Sequence, residues 1–109
     1  MDNTIENVRA QMRKGLLEYC ILSILDKREA YASVIIDDLK SVGMIVVEGT
    51  LYPLLIRLKN QGLLAYRWEE STQGPPRKYY VLTDQGREQL GQMDTAWNEL
   101  VESIQTLKK

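Results

Sequence analysis

The stretch Glu48-Gly49-Thr50-Leu51-Tyr52-Pro53-Leu54-Leu55-Ile56-Arg57-Leu58-Lys59-Asn60-Gln61-Gly62-Leu63-Leu64 decides how the rest of the chain is read. Leu51, Leu54, Leu55 and Leu58 stand at i, i+3, i+4 and i+7, the spacing of one helix face. The opposite face holds Thr50, Tyr52, Arg57, Asn60 and Gln61. Gly62 is placed just past the helix end, where a left-handed backbone closes the last turn and glycine adopts it without cost. Pro53 is expected in the first turn, where a missing N–H matters little. A short helix with an apolar stripe on one side and hydroxyls, amides and a cation on the other is either an ordinary surface helix or one that reads a duplex groove. Its surroundings decide between the two.

A chain of 109 residues fits one folding unit. A hydrophobic content of 44% excludes disorder. No apolar run approaches the roughly 20 residues that span a bilayer, and Met1-Asp2-Asn3-Thr4 lacks the basic start of a signal peptide. Cys20 is the single cysteine, so no internal disulfide can form. Its place in an apolar stripe marks it as a small buried hydrophobe. These features fit a cytoplasmic protein. The chain has no histidine, no glycine-rich phosphate loop and no metal-ligand cluster, so neither catalysis nor a metal or cofactor is expected. Net charge is −1, which by itself argues against nucleic acid. The charge is uneven, however. Residues 1–82 carry eleven Lys and Arg against ten Asp and Glu, whereas residues 83–109 carry three against five.

Before the central stretch, residues 2–12 have the pattern of a short amphipathic helix, with Ile5, Val8 and Met12 on one face and Asn3 or Thr4 as cap. A helix this short needs something to pack on. Leu17, Cys20, Ile21, Ile24 and Leu25 form the broad apolar face of a second helix. Tyr31–Val42 is another, ended by Gly43, and Met44–Val47 is β-prone, a small strand or an extended connector. After the central stretch, Leu63–Trp68 and Lys78–Leu82 are rich in β-branched and aromatic residues. With the turn-forming Glu69–Arg77 between them, they read as a hairpin with an extended loop. Thr83 caps a last helix, with Asp84 at its positive end. Along that helix Leu90, Met93, Trp97, Leu100, Ile104 and Leu107 alternate spacings of three and four, a seam that needs a partner helix. A second copy of the chain is the expected partner.

The resulting fold class is mainly α with a small β-hairpin (α+β): a winged helix-turn-helix with an N-terminal helix and a C-terminal dimerisation helix. Residues 1–82 are the expected DNA-binding domain and residues 83–109 the dimerisation helix. In this arrangement the central helix enters the major groove and the hairpin lies along the adjacent backbone. The hairpin base carries Arg77-Lys78-Tyr79-Tyr80, with Arg67 on the partner strand. Such cations neutralise phosphates, or else they keep a solvated strand edge from pairing with another chain.

Two motifs carry a family resemblance. Gly49-Thr50-Leu51-Tyr52-Pro53-Leu54-Leu55, continued by Arg57-Leu58 and Gly62-Leu63-Leu64, resembles the central motif of the PadR family of bacterial transcriptional regulators. Arg77-Lys78-Tyr79-Tyr80, continued by Leu82-Thr83 and Gly86, resembles the segment after that family's wing. Gly15-Leu16-Leu17-Glu18 is similar to the start of its first helix. The likeness spans nearly the whole chain, and the single last helix resembles the compact branch of the family. It implies a homodimer that represses transcription from a palindromic operator on double-stranded DNA. The N-terminal and last helices would form the interface, and a planar aromatic or hydrophobic effector would release the DNA. The chain departs from the pattern at Lys59, where the family often has Glu, and at Ala32-Ser33, where Gly-Tyr is usual.

The candidate DNA-contacting residues are therefore Lys14, Tyr31, Ser33, Thr50, Tyr52, Arg57, Arg67, Arg77 and Lys78, with Arg13 beside them. The helix N-terminus at Thr50 and Tyr52 offers free N–H groups to a phosphate; the alternatives are that Tyr52 packs on the hairpin and that Arg57 pairs with an acid. Lys59, Asn60 and Gln61 lie farther along the helix. The candidate dimer seam is Ile5, Val8, Leu90, Met93, Trp97, Leu100, Ile104 and Leu107. Trp97 is either a core anchor of that seam or a stacking platform for a flat ligand, and Met12, Gly15, Tyr19, Met93 and Asp94 are candidates to line the same pore. Two rivals stand beside the repressor. One is a winged helix turned to protein–protein contact, favoured if Arg67, Arg77 and Lys78 pair with Glu69, Glu70 or other acids. The other is a ligand carrier with no DNA function.

Overall fold

Two glycines end two helices in the same way, and those ends set the corners of the fold. The computed structural model describes residues 4–71 and 74–109. Its elements are α1 (Thr4–Lys14), α2 (Leu17–Lys27), α3 (Ala32–Ser41), α4 (Glu48–Asn60), β1 (Leu64–Ser71), β2 (Gly74–Leu82) and α5 (Asp84–Leu107). Of the two expected caps, Asn3 lies outside the described residues and Thr4 is the first residue of α1. Gly43 follows α3 and Gly62 follows α4, with φ of 81° and 80°. Each glycine N–H donates to the carbonyl three residues back, Lys40 or Lys59, at 3.0 Å. The next N–H reaches one turn deeper, Met44 to Leu39 at 2.9 Å and Leu63 to Leu58 at 3.0 Å. This double closure satisfies carbonyls that would otherwise be orphaned at the helix end.

The core lies where α2, α3 and α4 meet. Ile21, Leu22 and Leu25 come from α2, Ile35 and Leu39 from α3, and Leu51, Leu55 and Leu58 from α4. Burying each such side chain is worth about 1.5–3 kcal/mol. Leu63, Leu64, Tyr80 and Leu82 close the core from the hairpin base, and Leu90 closes it from α5. Cys20 packs half-buried at the edge, its sulfur 3.3 Å from that of Met44.

The start of α5 is locked to the end of α4. The Thr83 hydroxyl accepts from the Gly86 N–H at 2.9 Å and lies 2.7 and 3.0 Å from the carbonyls of Gly62 and Leu63. A Cβ at Gly86 would sit 2.1 Å from the Leu63 carbonyl oxygen, so close backbone approach demands glycine there.

Three local expectations change, and one open choice resolves. Pro53 is in the second turn of α4, not the first, because the helix begins at Glu48. The carbonyl that loses its partner belongs to the exposed Gly49, which limits the cost. Met44–Val47 takes the connector form. Val46 is buried between the exposed Ile45 and Val47, a strand-like alternation in a segment that pairs with no strand among the described residues. The third strand position is instead filled by Ala30, which exchanges hydrogen bonds with Tyr80 at 3.1 and 2.8 Å. The expected loop Glu69–Arg77 is largely paired, with Glu69 opposite Arg77 and Ser71 opposite Gly74. Glu70 faces both Pro75 and Pro76 at an irregularity, which absorbs two residues that have no N–H to donate. Finally, α5 does find a partner within the chain, since its first half packs on α2.

That contact stops partway. Leu90 is 6% exposed, so it serves the protomer core and is not available to a dimer seam as expected, and Met93 is half-buried against the same core. Packing therefore runs across the 82/83 boundary. Beyond it, Trp97, Leu100, Ile104 and Leu107 are 41, 57, 51 and 83% exposed. The stripe of α1 is equally bare, with Ile5, Val8 and Met12 all exposed. These two arms raise the radius of gyration to 16.0 Å, against about 13 Å for a compact chain of this length.

Candidate nucleic-acid interface

The N-terminal ends of α3 and α4 and the inner side of the wing enclose a groove of about 420 Å³. Tyr31 and Ser33 from the start of α3, Glu48 and Tyr52 from α4, and Trp68, Arg77 and Lys78 from the wing line it. The sequence dictates this meeting. Tyr31 caps α3 in extended conformation, and Glu48 and Tyr52 are one turn apart on α4, along the exposed flank of its buried leucine stripe. Strand register sets Trp68 opposite Lys78.

The two cations of β2 are held by rings. The Arg77 guanidinium lies 5.2 Å from the Tyr31 ring centre. The Lys78 ammonium lies 4.5 Å from that of Tyr66 and 5.5 Å from that of Trp68. Such contacts orient a cation without cancelling its charge. Neither residue makes an ion pair among the described residues. Arg67 differs. It pairs with Glu29 at 3.1 Å and Glu69 at 3.4 Å while stacking 4.5 Å over Tyr79. Tyr79 in turn meets Tyr31 edge-on at 4.7 Å. Burial, with the Glu69 carboxylate adding to it, pushes the Tyr31 phenol upward.

The structure thus brings Tyr31, Ser33, Tyr52, Arg77 and Lys78 into one groove. It sends Arg57 elsewhere, into an ion pair with Glu18 of α2. Arg57 thus takes the acid-paired alternative, with its side chain still 60% exposed. Lys14 and Thr50 share a separate groove of about 380 Å³ with Arg13 and the Met44–Val47 connector. The sequence reading passed over Glu48, Tyr66 and Trp68. Strand alternation put Tyr66 and Trp68 on one face with the Lys78 position opposite, a signal that was available. Glu48 was hidden by the expectation that the helix begins nearer Thr50.

Of the pore candidates, Tyr19, Asp94 and Trp97 come together. The Tyr19 hydroxyl donates to Asp94 Oδ1 at 2.5 Å. Its pKa is pushed up to about 12, first by that hydrogen bond and then by burial. The Tyr19 ring centre is 6.4 Å from that of Trp97. Met93 lies one position before Asp94 but turns to the core. Met12 and Gly15 are exposed, and space around Gly15 is open within 4 Å of where a Cβ would stand. Within one protomer they line no pore with Tyr19. No helix among the described residues is long and apolar enough to cross a membrane.

Comparison with known proteins supports the fold. The sequence profile of the Transcriptional regulator PadR-like family matches residues 21–92. A PadR-like transcription factor from Bacteroides fragilis is 60% identical, covering 93% of this chain and 98% of its own, with a TM-score of 0.80. A PadR family transcriptional regulator from Eggerthella lenta is 33% identical over 99% of this chain and 95% of its own, with a TM-score of 0.92. A PadR-like regulator from Bacillus cereus is 38% identical over 91% and 97%, with a TM-score of 0.81. The chain belongs to the PadR-like family of transcriptional regulators, and it is a regulator, not an enzyme.

Proposed function

We propose that this regulator is a sequence-specific repressor that acts as a homodimer on a palindromic operator in the cytoplasm. One observation carries the reading: among the described residues Arg77 and Lys78 make no ion pair, and they line a groove with Glu48 and Tyr52 of the first turns of α4. With α4 in the major groove, that placement puts both cations against the phosphates flanking it, and the hydroxyls of Tyr31, Ser33 and Tyr52 add donors of the same use. Thr50 and Lys14 meet the backbone on the other side of α4. Arg67 acts as a support for Tyr79 and so for Tyr31.

The bare stripes of α1 and of the second half of α5 support dimerisation, since contiguous exposed apolar surface marks an interface. The dimer unit is thus residues Trp97 to Leu107 with Ile5, Val8 and Met12, joined to a DNA-binding unit that includes the first half of α5. The Tyr19–Trp97 pair sits where the buried half of α5 gives way to the bare half. Two such pairs facing one another would clamp a planar aromatic effector, and Met12 and Gly15 would reach that space only from a second copy. Effector binding there changes the separation of the two α4 helices and releases the operator.

The rival reading, a winged helix turned to protein contact, draws on the pairing of Arg67 with Glu29 and Glu69. Selection of fragments from the source genome by the purified protein separates the two readings. Repeated enrichment of one inverted repeat, with release by planar aromatic compounds, is expected. Enrichment of no sequence at moderate salt would favour the rival.

A further inference from the structure

Glu48 is the one acid in the groove, and neither the function above nor its motifs use it. It is the first residue of α4, exposed, and it lines the groove with Tyr52 one turn further along the same side. Among the described residues it makes no ion pair, although Arg77 and Lys78 line the same groove. A carboxylate only accepts hydrogen bonds. Phosphates flanking a bound α4 repel it, so it gains nothing from the backbone. In the major groove the exposed amino donors are cytosine N4 and adenine N6, and adenine N7 beside N6 is itself an acceptor that repels a carboxylate. Cytosine is the base a carboxylate is built to select.

We infer that Glu48 is a specificity-determining residue that accepts from cytosine N4 at one base pair in each half-site. The inference rests on the DNA-reading function proposed above. Helix position agrees with it, because N-terminal residues of a recognition helix are the ones that reach base edges. Glu48 thereby lowers affinity for DNA in general and raises the contrast between sites, since an unpaired carboxylate penalises every wrong base.

The test is selection from a randomised duplex library by the full-length protein, Glu48→Gln and Glu48→Ala in parallel. The wild type should enrich a C·G pair at one position of each half-site. Glu48→Ala should lose that preference alone, with discrimination falling on the order of 10- to 100-fold, while binding a scrambled duplex more tightly. Glu48→Gln should move the preference toward adenine, which glutamine reads through N6 and N7. A purely structural role at the helix N-terminus would lower stability and affinity without changing the preferred base. Three identical selected sites would overturn the inference and leave the proposed function standing. Enrichment of no sequence by the wild type would overturn both.

Discussion

The two halves of α5 carry one hydrophobic repeat and do different work. Leu90 and Met93 pack on the protomer's own core, while Trp97, Leu100, Ile104 and Leu107 stand in solvent at the same spacing. The difference lies in what runs alongside. The first half of α5 rests on α2, and the Tyr19 contacts with Asp94 and Trp97 mark where that support ends. A repeat of threes and fours states that a stripe will be covered. It does not state whether the cover comes from the same chain or from another.

Substitution should separate the halves. The largest effect is expected in the buried half, where Leu90→Ala should cost about 2–5 kcal/mol of protomer stability by opening a cavity. Denaturant unfolding measures it, and a loss below about 1 kcal/mol would remove Leu90 from the core. Next, Leu100→Glu with Ile104→Glu should convert a dimer into a folded monomer, seen as a halved mass in sedimentation with helical signal retained. If the pair unfolds the protein, or leaves a dimer intact, the bare half is not the interface. At the junction, Trp97→Ala should weaken binding of planar aromatic probes more than it weakens dimerisation, as read by calorimetry beside sedimentation. The reverse order would make Trp97 an anchor of the interface.

The smallest effect concerns pH. Tyr19 has its pKa raised to about 12 in the folded chain, against about 10 in an unfolded one. The Tyr19–Asp94 bond therefore contributes fully below pH ~10 and is lost as pH rises toward ~12. Stability of wild type relative to Tyr19→Phe should decline across that window and be level below it. A difference independent of pH would mean that the hydroxyl contributes nothing through Asp94.

Much of this molecule was legible beforehand, for reasons visible in single residues. Gly62 and Thr83 are dictated by backbone geometry within a few positions, so their roles follow from local rules. The leucines of α4 follow from helical period alone. The misreadings arose where a second element was needed. The fate of Leu90 depends on how far α2 extends beside it. The bridge from Ala30 to Tyr80 joins residues 50 positions apart and had no local signal. Arg57 and Arg67 have the same chemistry as Arg77. What distinguishes them is the presence of Glu18 and Glu29, carboxylates 39 and 38 residues away in sequence.

That last contrast gives the most direct test of the central claim, that the groove between α4 and the wing clamps DNA phosphates through Arg77 and Lys78. The measurement is fluorescence anisotropy on the selected operator across a salt series, for the wild type, Arg77→Ala with Lys78→Ala, and Arg67→Ala. Each phosphate contact contributes about 0.9 to the log–log salt slope. The double variant should therefore flatten the slope by roughly two for each bound protomer, while Arg67→Ala should leave the slope nearly as it was. An unchanged slope in the double variant, or an equal loss in Arg67→Ala, would contradict the account.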